Sequence, residues 1–128
     1  MPINPYERYR QQDLETCNQQ ELVGRLFNEA ALCLRRACTD IEKKQFQTAN
    51  EAIKKAEVIV NTLNSSLDMQ YSISKMLRSL YQYMNRRMLE ANLKKDPAIL
   101  SEIAGILTEL RDAWNEAIHR SRKLQANG

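Results

Sequence analysis

The sequence predicts an all-helical fold, an antiparallel up-down-up-down four-helix bundle with a short N-terminal helix or arm. The chain has 128 residues, enough for one domain with one core. It holds only three glycines and three prolines, too few for the turns of a β-sandwich or barrel. Apolar residues recur at steps of three and four over four long segments, and short connections between such segments favour a bundle.

The start of the chain is expected to be a separate element. Asn18 is a good N-cap for the first long helix, and Glu21 follows three residues later as in a capping box. Residues 5–16 would then form the short helix or arm. The predicted organisation is therefore an arm at 1–17, a bundle at 18–124 and a tail at 125–128.

The four long helices are expected to have similar lengths and to lie side by side. The last begins with Asp96 and Pro97, a favourable N-cap and first helical residue. The predicted helices span residues 19–43, 45–67 and 72–93, and the fourth starts at 96. The predicted core stripes are Val23, Leu26, Ala30, Leu34, Ala37 and Ile41; Ala49, Ala52, Ala56, Ile59, Leu63 and Leu67; Ile73, Leu77, Leu80, Met84, Met88 and Ala91; and Ile99, Ile103, Leu107, Leu110, Trp114 and Ala117.

Composition and charge exclude several classes of function. Nineteen basic residues face sixteen acidic ones, and acids are mixed throughout, so no basic face for nucleic acid is expected. No stretch approaches the roughly 18 apolar residues of a membrane span, and the N-terminus lacks a signal peptide. Three cysteines without a CxxC spacing are typical of reduced thiols. We therefore expect a cytoplasmic protein without membrane insertion.

The single histidine excludes most site chemistry. Glu116 and His119 match one half of a di-iron bundle motif, which needs a second such pair, and no Cys/His cluster has zinc spacing. We expect no metal, no cofactor and no catalytic residues, so the chain is not predicted to be an enzyme. The alternative function is a regulatory or phosphotransfer adaptor that uses an exposed His119.

Several apolar side chains fall outside the predicted core stripes when residues are placed at 100° steps around each helix. They either widen the buried stripes or form a surface that accepts amphipathic helices from a partner. Tyr6 and Tyr9 in the arm fit both interpretations. The candidate partner-binding residues are Tyr6, Tyr9, Leu32, Val58, Met76, Tyr83, Leu89 and Leu93.

Five blocks, taken in order and spacing, resemble the FliS family of flagellin-specific export chaperones from Tyr9 to Trp114. The most specific block runs from Leu80 to Asn92, LYQYMNRRMLEAN. The family often has Ser-Pro where this chain has Asn18-Gln19. The other blocks are residues 9–16, 22–37, 63–68 and 107–114.

The resemblance implies an ATP-independent cytoplasmic chaperone with a four-helix fold. Its client would be the C-terminal amphipathic segment of flagellin, kept from premature polymerisation and delivered to the flagellar type III export gate. Other flagellar regulators are a further class of partner. Tyr6 and Tyr9 would cover part of the binding groove until flagellin displaces the arm.

Overall fold

Short connections and long apolar stripes give this chain four helices in sequence. The computed structural model describes the backbone of residues 5–127 and the side chains of residues 19–126. Within those residues there is no strand, and the fold class predicted from the sequence is confirmed. The helices are α1 (Pro5–Glu42), α2 (Phe46–Ser65), α3 (Ser72–Lys94) and α4 (Pro97–Asn127).

The helices surround one core. In the described part of the chain, α1 packs against α2 and α4, and α3 packs against the same two helices. α1 and α3 therefore lie on opposite sides of the bundle. Because the connections are short, consecutive helices run antiparallel, which is the up-down-up-down order.

The first helix is longer than predicted. No glycine or proline interrupts the chain between Pro5 and Gly24, and proline suits the first helical position, so the helix continues through residue 18. The predicted start with an N-cap at Asn18 is therefore wrong. The side chains of residues 5–18, with Tyr6 and Tyr9 among them, lie outside the described part, so a boundary at residue 17 stays a prediction.

The other helix ends follow their local chemistry. Asp96 Oδ1 accepts a hydrogen bond from the Ala98 amide at 2.9 Å, which confirms the predicted cap of α4. Lys44 and Lys95 have φ of 59° and 51°, the left-handed conformation that ends many helices. The amides that follow them close the turns by donating to the carbonyls of Asp40 and Ala91.

Many of the predicted stripe residues are buried, but two of them are wrong, and the stripes missed several buried residues. The missed residues are Phe27, Ala31, Ile53, Val60, Tyr81, Leu100 and Ala104. Ile73 and Ala117 are exposed. Ile73 lies in the first turn of α3 and Ala117 lies in the C-terminal half of the antiparallel α4, near the same end of the bundle, where fewer neighbouring residues cover a side chain. The predicted stripe residues that are fully or largely buried are Ala30, Leu34, Ala37, Ala49, Ala52, Ala56, Ile59, Leu63, Met84, Met88, Ala91, Ile99, Ile103 and Leu107.

Candidate partner-binding surface

Five of the predicted partner-binding side chains lie at the protein surface. Their exposed fractions run from 47% for Leu32 to 79% for Leu93. The helical phase inferred from the sequence is therefore confirmed for them, whereas their contact with a partner stays a prediction. Because the buried core does not include these side chains, they are available for contact with another molecule. The exposed five are Leu32, Val58, Met76, Leu89 and Leu93.

Tyr83 differs from these five because its side chain is half-buried and hydrogen-bonded to a residue of α4. Its hydroxyl donates to Glu102 Oε1 at 2.7 Å, and the neighbouring Arg87 guanidinium donates to Glu102 Oε2 at 3.3 Å. The hydrogen bond to the Glu102 carboxylate raises the pKa of Tyr83 and lowers the pKa of Glu102. Tyr83 therefore helps to hold α3 against α4.

The C-terminal half of α3 carries the first exposed apolar patch. Leu89 and Leu93 are one turn apart on its outer face. Beside them the contact with α2 is polar: Asn85 Nδ2 donates to Asn61 Oδ1 at 2.8 Å, and Asn92 makes the equivalent bond to Asn50 at 2.7 Å. Because asparagine amides make this contact between α3 and α2, Leu89 and Leu93 remain outside the interface of the two helices.

A second apolar patch lies at the start of α3. Met76 is 64% exposed, and Ile73 and Tyr71 beside it in sequence are also exposed. α4 is longer than α3, and a shallow groove runs along its C-terminal half. The groove is lined by Ala113, Glu116, Ala117, Arg120, Ser121 and Leu124.

Sequence reasoning missed six exposed apolar side chains. Ile73 was assigned to the core, and the others were not singled out. Most of them lie at a helix end or in a connection, where angular position does not decide exposure. Proximity to a predicted helix end was the signal that could have found most of them. They are Leu22, Phe46, Met69, Tyr71, Ile73 and Leu124.

The described side chains provide no cluster for metal chemistry. No group of three or more histidine, cysteine, aspartate or glutamate side chains among them could hold an ion. His119 is exposed near the end of α4, next to the ion pair between Arg120 and Glu116. Burial raises the pKa values of the Cys33 and Cys38 thiols, which favours the unreactive protonated form. Over the same described residues, no helix has both the length and the apolar character to cross a membrane.

Comparison with known proteins gives one consistent result. Residues 2–121 match the family described as Flagellar protein FliS. The flagellar secretion chaperone FliS of Bacillus subtilis is 37% identical over 120 residues, covering 94% of this chain and 90% of that protein. The chaperones of the same name from Salmonella typhimurium and Escherichia coli are 34% and 33% identical, over 79% and 80% of this chain and 77% and 78% of their own lengths.

Proposed function

This chain belongs to the FliS family of flagellar secretion chaperones, and from that premise we propose that it binds the C-terminal amphipathic segment of flagellin. It acts in the cytoplasm without ATP, keeps the segment from polymerising early, and helps to deliver it to the flagellar type III export gate. The protein is a binding chaperone rather than an enzyme.

The observation that carries this proposal is the surplus of apolar surface on α3. Ile73, Met76, Leu89 and Leu93 are all more than half exposed on this one helix. Single exposed apolar residues are ordinary on soluble proteins, but four on one helix favour a partner that covers them. An amphipathic client segment supplies the matching apolar face.

The positions of the two α3 patches support a client segment that extends over both of them. Met76 and Leu89 are thirteen positions apart, which is about 20 Å along a helix, and they lie on different sides of α3. A single short helix would cover one patch only. We therefore propose that the flagellin segment spreads over both, and that its ordering on binding limits the affinity to a releasable level.

The arm is the third component of the proposal. Tyr6 and Tyr9 would cover part of the flagellin-binding groove in the free chaperone and leave it when flagellin binds. Removal of residues 1–16 should then change both the affinity for a flagellin C-terminal peptide and the thermal midpoint of the free protein. If neither quantity changes, this role of the arm is wrong.

Calorimetric titration with a flagellin C-terminal peptide tests the main proposal. Leu89→Ser and Leu93→Ser together should weaken binding by about tenfold or more, because each buries a leucine side chain in the complex. The unfolding free energy should change by less than about 0.5 kcal/mol per site, since both positions are exposed. Failure of the wild-type protein to bind the peptide would contradict the proposed function.

Two matched variants complete the experiment. Gln82→Ser changes another exposed residue of α3 and should leave the affinity unaltered. His119→Ala separates the chaperone from a phosphotransfer adaptor, because only the adaptor needs the imidazole. A chaperone with this substitution should bind the peptide as the wild type does.

A further inference from the structure

The shallow groove on α4 lies beyond the point where α3 begins. The Tyr83 hydroxyl of α3 donates to the Glu102 carboxylate of α4 at 2.7 Å, which fixes the relative level of these two antiparallel helices. α3 starts eleven residues before Tyr83, and eleven residues after Glu102 stands Ala113. Because α4 runs on to Asn127, about 20 Å of it extends past the first residue of α3.

The groove is on the side of α4 that α3 covers nearer the start of α4. At about 100° per residue, Ala113 and Leu124 stand within about 40° of Glu102 around the helix, and Glu102 is the residue that bonds α3. Leu124 is 74% exposed, and Ala113 and Ala117 are exposed as well. The same side of α4 is therefore covered by a helix along its first half and uncovered along the groove.

The lining of the groove is largely apolar and carries no net charge. Met76 adjoins it, because Met76 stands seven residues before Tyr83 and within about 20° of it around α3. Arg120 pairs with Glu116 at 2.6 Å, and Ser121 is the remaining polar residue of the lining. Since the two charges of the lining pair with each other, the groove selects its occupant by shape and apolar contact.

We propose that this groove holds a helix of about three turns, and that the helix belongs to the client segment of the proposed function, on which this inference rests. From Ala113 to Leu124 the groove is about 17 Å long, the length of eleven helical residues. A helix in line with α3 would pack on the same side of α4 as α3 does. Its apolar side chains, at three- and four-residue spacing, would contact Met76, Ala117 and Leu124.

Two observations favour the client over a second copy of this chain. The groove is continuous with the exposed side chains of Ile73 and Met76, which the proposed function already assigns to the client. A face about 17 Å long and one helix wide also covers far less than the roughly 800 Å² per partner of a stable interface. Such a face suits one part of a longer segment whose other part contacts Leu89 and Leu93.

Calorimetric titration of the full chain with the flagellin C-terminal peptide tests this inference. Ala117→Gln places a longer side chain in the groove, and Leu124→Ser removes its most exposed apolar side chain. The double variant should bind the peptide about fivefold more weakly or worse. Because both positions are exposed, its urea midpoint should stay close to that of the wild type.

Two single variants serve as checks on the titration. Ala98→Gln makes the same change at an exposed alanine in the first turn of α4, away from the groove, and should bind within about twofold of the wild type. Ala113→Gln, at the other end of the groove, should weaken binding independently of Ala117 and Leu124.

An isotope-labelled peptide adds a structural measurement. In the complex with the wild type, about eleven consecutive peptide residues should show helical carbon chemical shifts. With the double variant, the same residues should return toward their free-peptide shifts, while the part of the peptide that contacts Leu89 and Leu93 keeps its bound shifts.

Four results would overturn the inference. The wild type could bind the peptide while the double variant binds equally well, which leaves the proposed function standing without this groove, or the bound peptide could show no helical stretch. A dimer in sedimentation equilibrium that Ala117→Gln dissociates would assign the groove to a second copy. An effect of the variants that disappears when residues 1–16 are removed would assign it to the arm. A wild type that does not bind the peptide removes the proposed function itself.

Discussion

α1 and α3 lie on opposite sides of the bundle and contribute side chains of different size to the core. The buried residues of α1 are mostly small, with Ala30, Ala31 and Ala37 almost fully covered. Those of α3 include three large side chains, Tyr81, Met84 and Met88. Small side chains allow close helix packing with little freedom, whereas methionine is flexible and adapts to its neighbours.

Polar contacts hold both helices. α3 meets α2 through amide pairs and meets α4 through the Glu102 hydrogen bonds, and it carries four strongly exposed apolar side chains. α1 makes an ion pair to each of its neighbours, Glu29 with Lys55 of α2 and Glu21 with Arg122 of α4. α1 also buries more side chains than α3, so substitutions in its core are expected to cost more stability.

Ala37→Leu should have the largest effect. Ala37 is fully buried in α1, so three extra carbon atoms can be placed only by moving a helix or forcing strained rotamers. We expect a loss of about 3 kcal/mol in the unfolding free energy, measured by urea denaturation. Met88→Leu in α3 keeps the volume and should lose less than about 1.5 kcal/mol. Equal losses would contradict the difference between the two helices.

Replacing either Gly24 or Gly105, the two glycines within the described helices, by alanine should change the unfolding free energy by about 1 kcal/mol or less. Nothing lies within 4 Å of the place where a Cβ of Gly105 would stand, so Gly105→Ala should raise the unfolding free energy by about 0.5–1 kcal/mol. Gly24→Ala should raise it less, because Asn115 must first rotate away from the new methyl group. Both values follow from urea midpoints, and a larger gain at Gly24 would show that the α1–α4 contact is looser than described.

Periodicity predicted many, but not all, of the residues that each helix buries. Leu34 and Met88 repeat at steps of three and four within long helices, and burial follows from angular position alone. At a helix end, exposure and the position of the boundary depend instead on the adjacent residues and helices. Ile73 has the angular position of a core residue, yet it is exposed because it stands at the start of α3. Asn18 has good capping chemistry, but the helix-compatible residues before it let α1 continue.

The candidate site could be predicted in part for the same reason. Leu89 and Leu93 were identified because their angular positions on α3 lie far from the core stripe. Phe46 and Tyr71 were not, since one begins α2 and the other lies in a connection, where exposure is set by how far adjacent helices reach.

Tyr81 gives a prediction at alkaline pH. Burial raises the pKa of Tyr81 to about 12, from an ordinary value of 10.0. Because the folded state favours the neutral hydroxyl, its contribution to stability is complete below pH 10 and is lost as the pH rises through about 12. Urea midpoints between pH 9 and about 12 should therefore fall more steeply for the wild type than for Tyr81→Phe. Parallel curves would show that α3 leaves this hydroxyl in water.

The smallest effect is expected at the junction of α3 and α4. The hydrogen bond from Tyr83 and the Arg87 guanidinium hold the pKa of Glu102 below its usual range, so the carboxylate contributes stability at neutral pH that is lost as the pH falls through that lowered pKa. Tyr83→Phe removes the first of these causes. The wild type should be slightly more stable than Tyr83→Phe at pH 7, and the difference should vanish once the pH has fallen through the lowered pKa of Glu102. A difference that persists in acid would mean that Tyr83 stabilises the contact between α3 and α4 through packing rather than through its hydrogen bond to the Glu102 carboxylate.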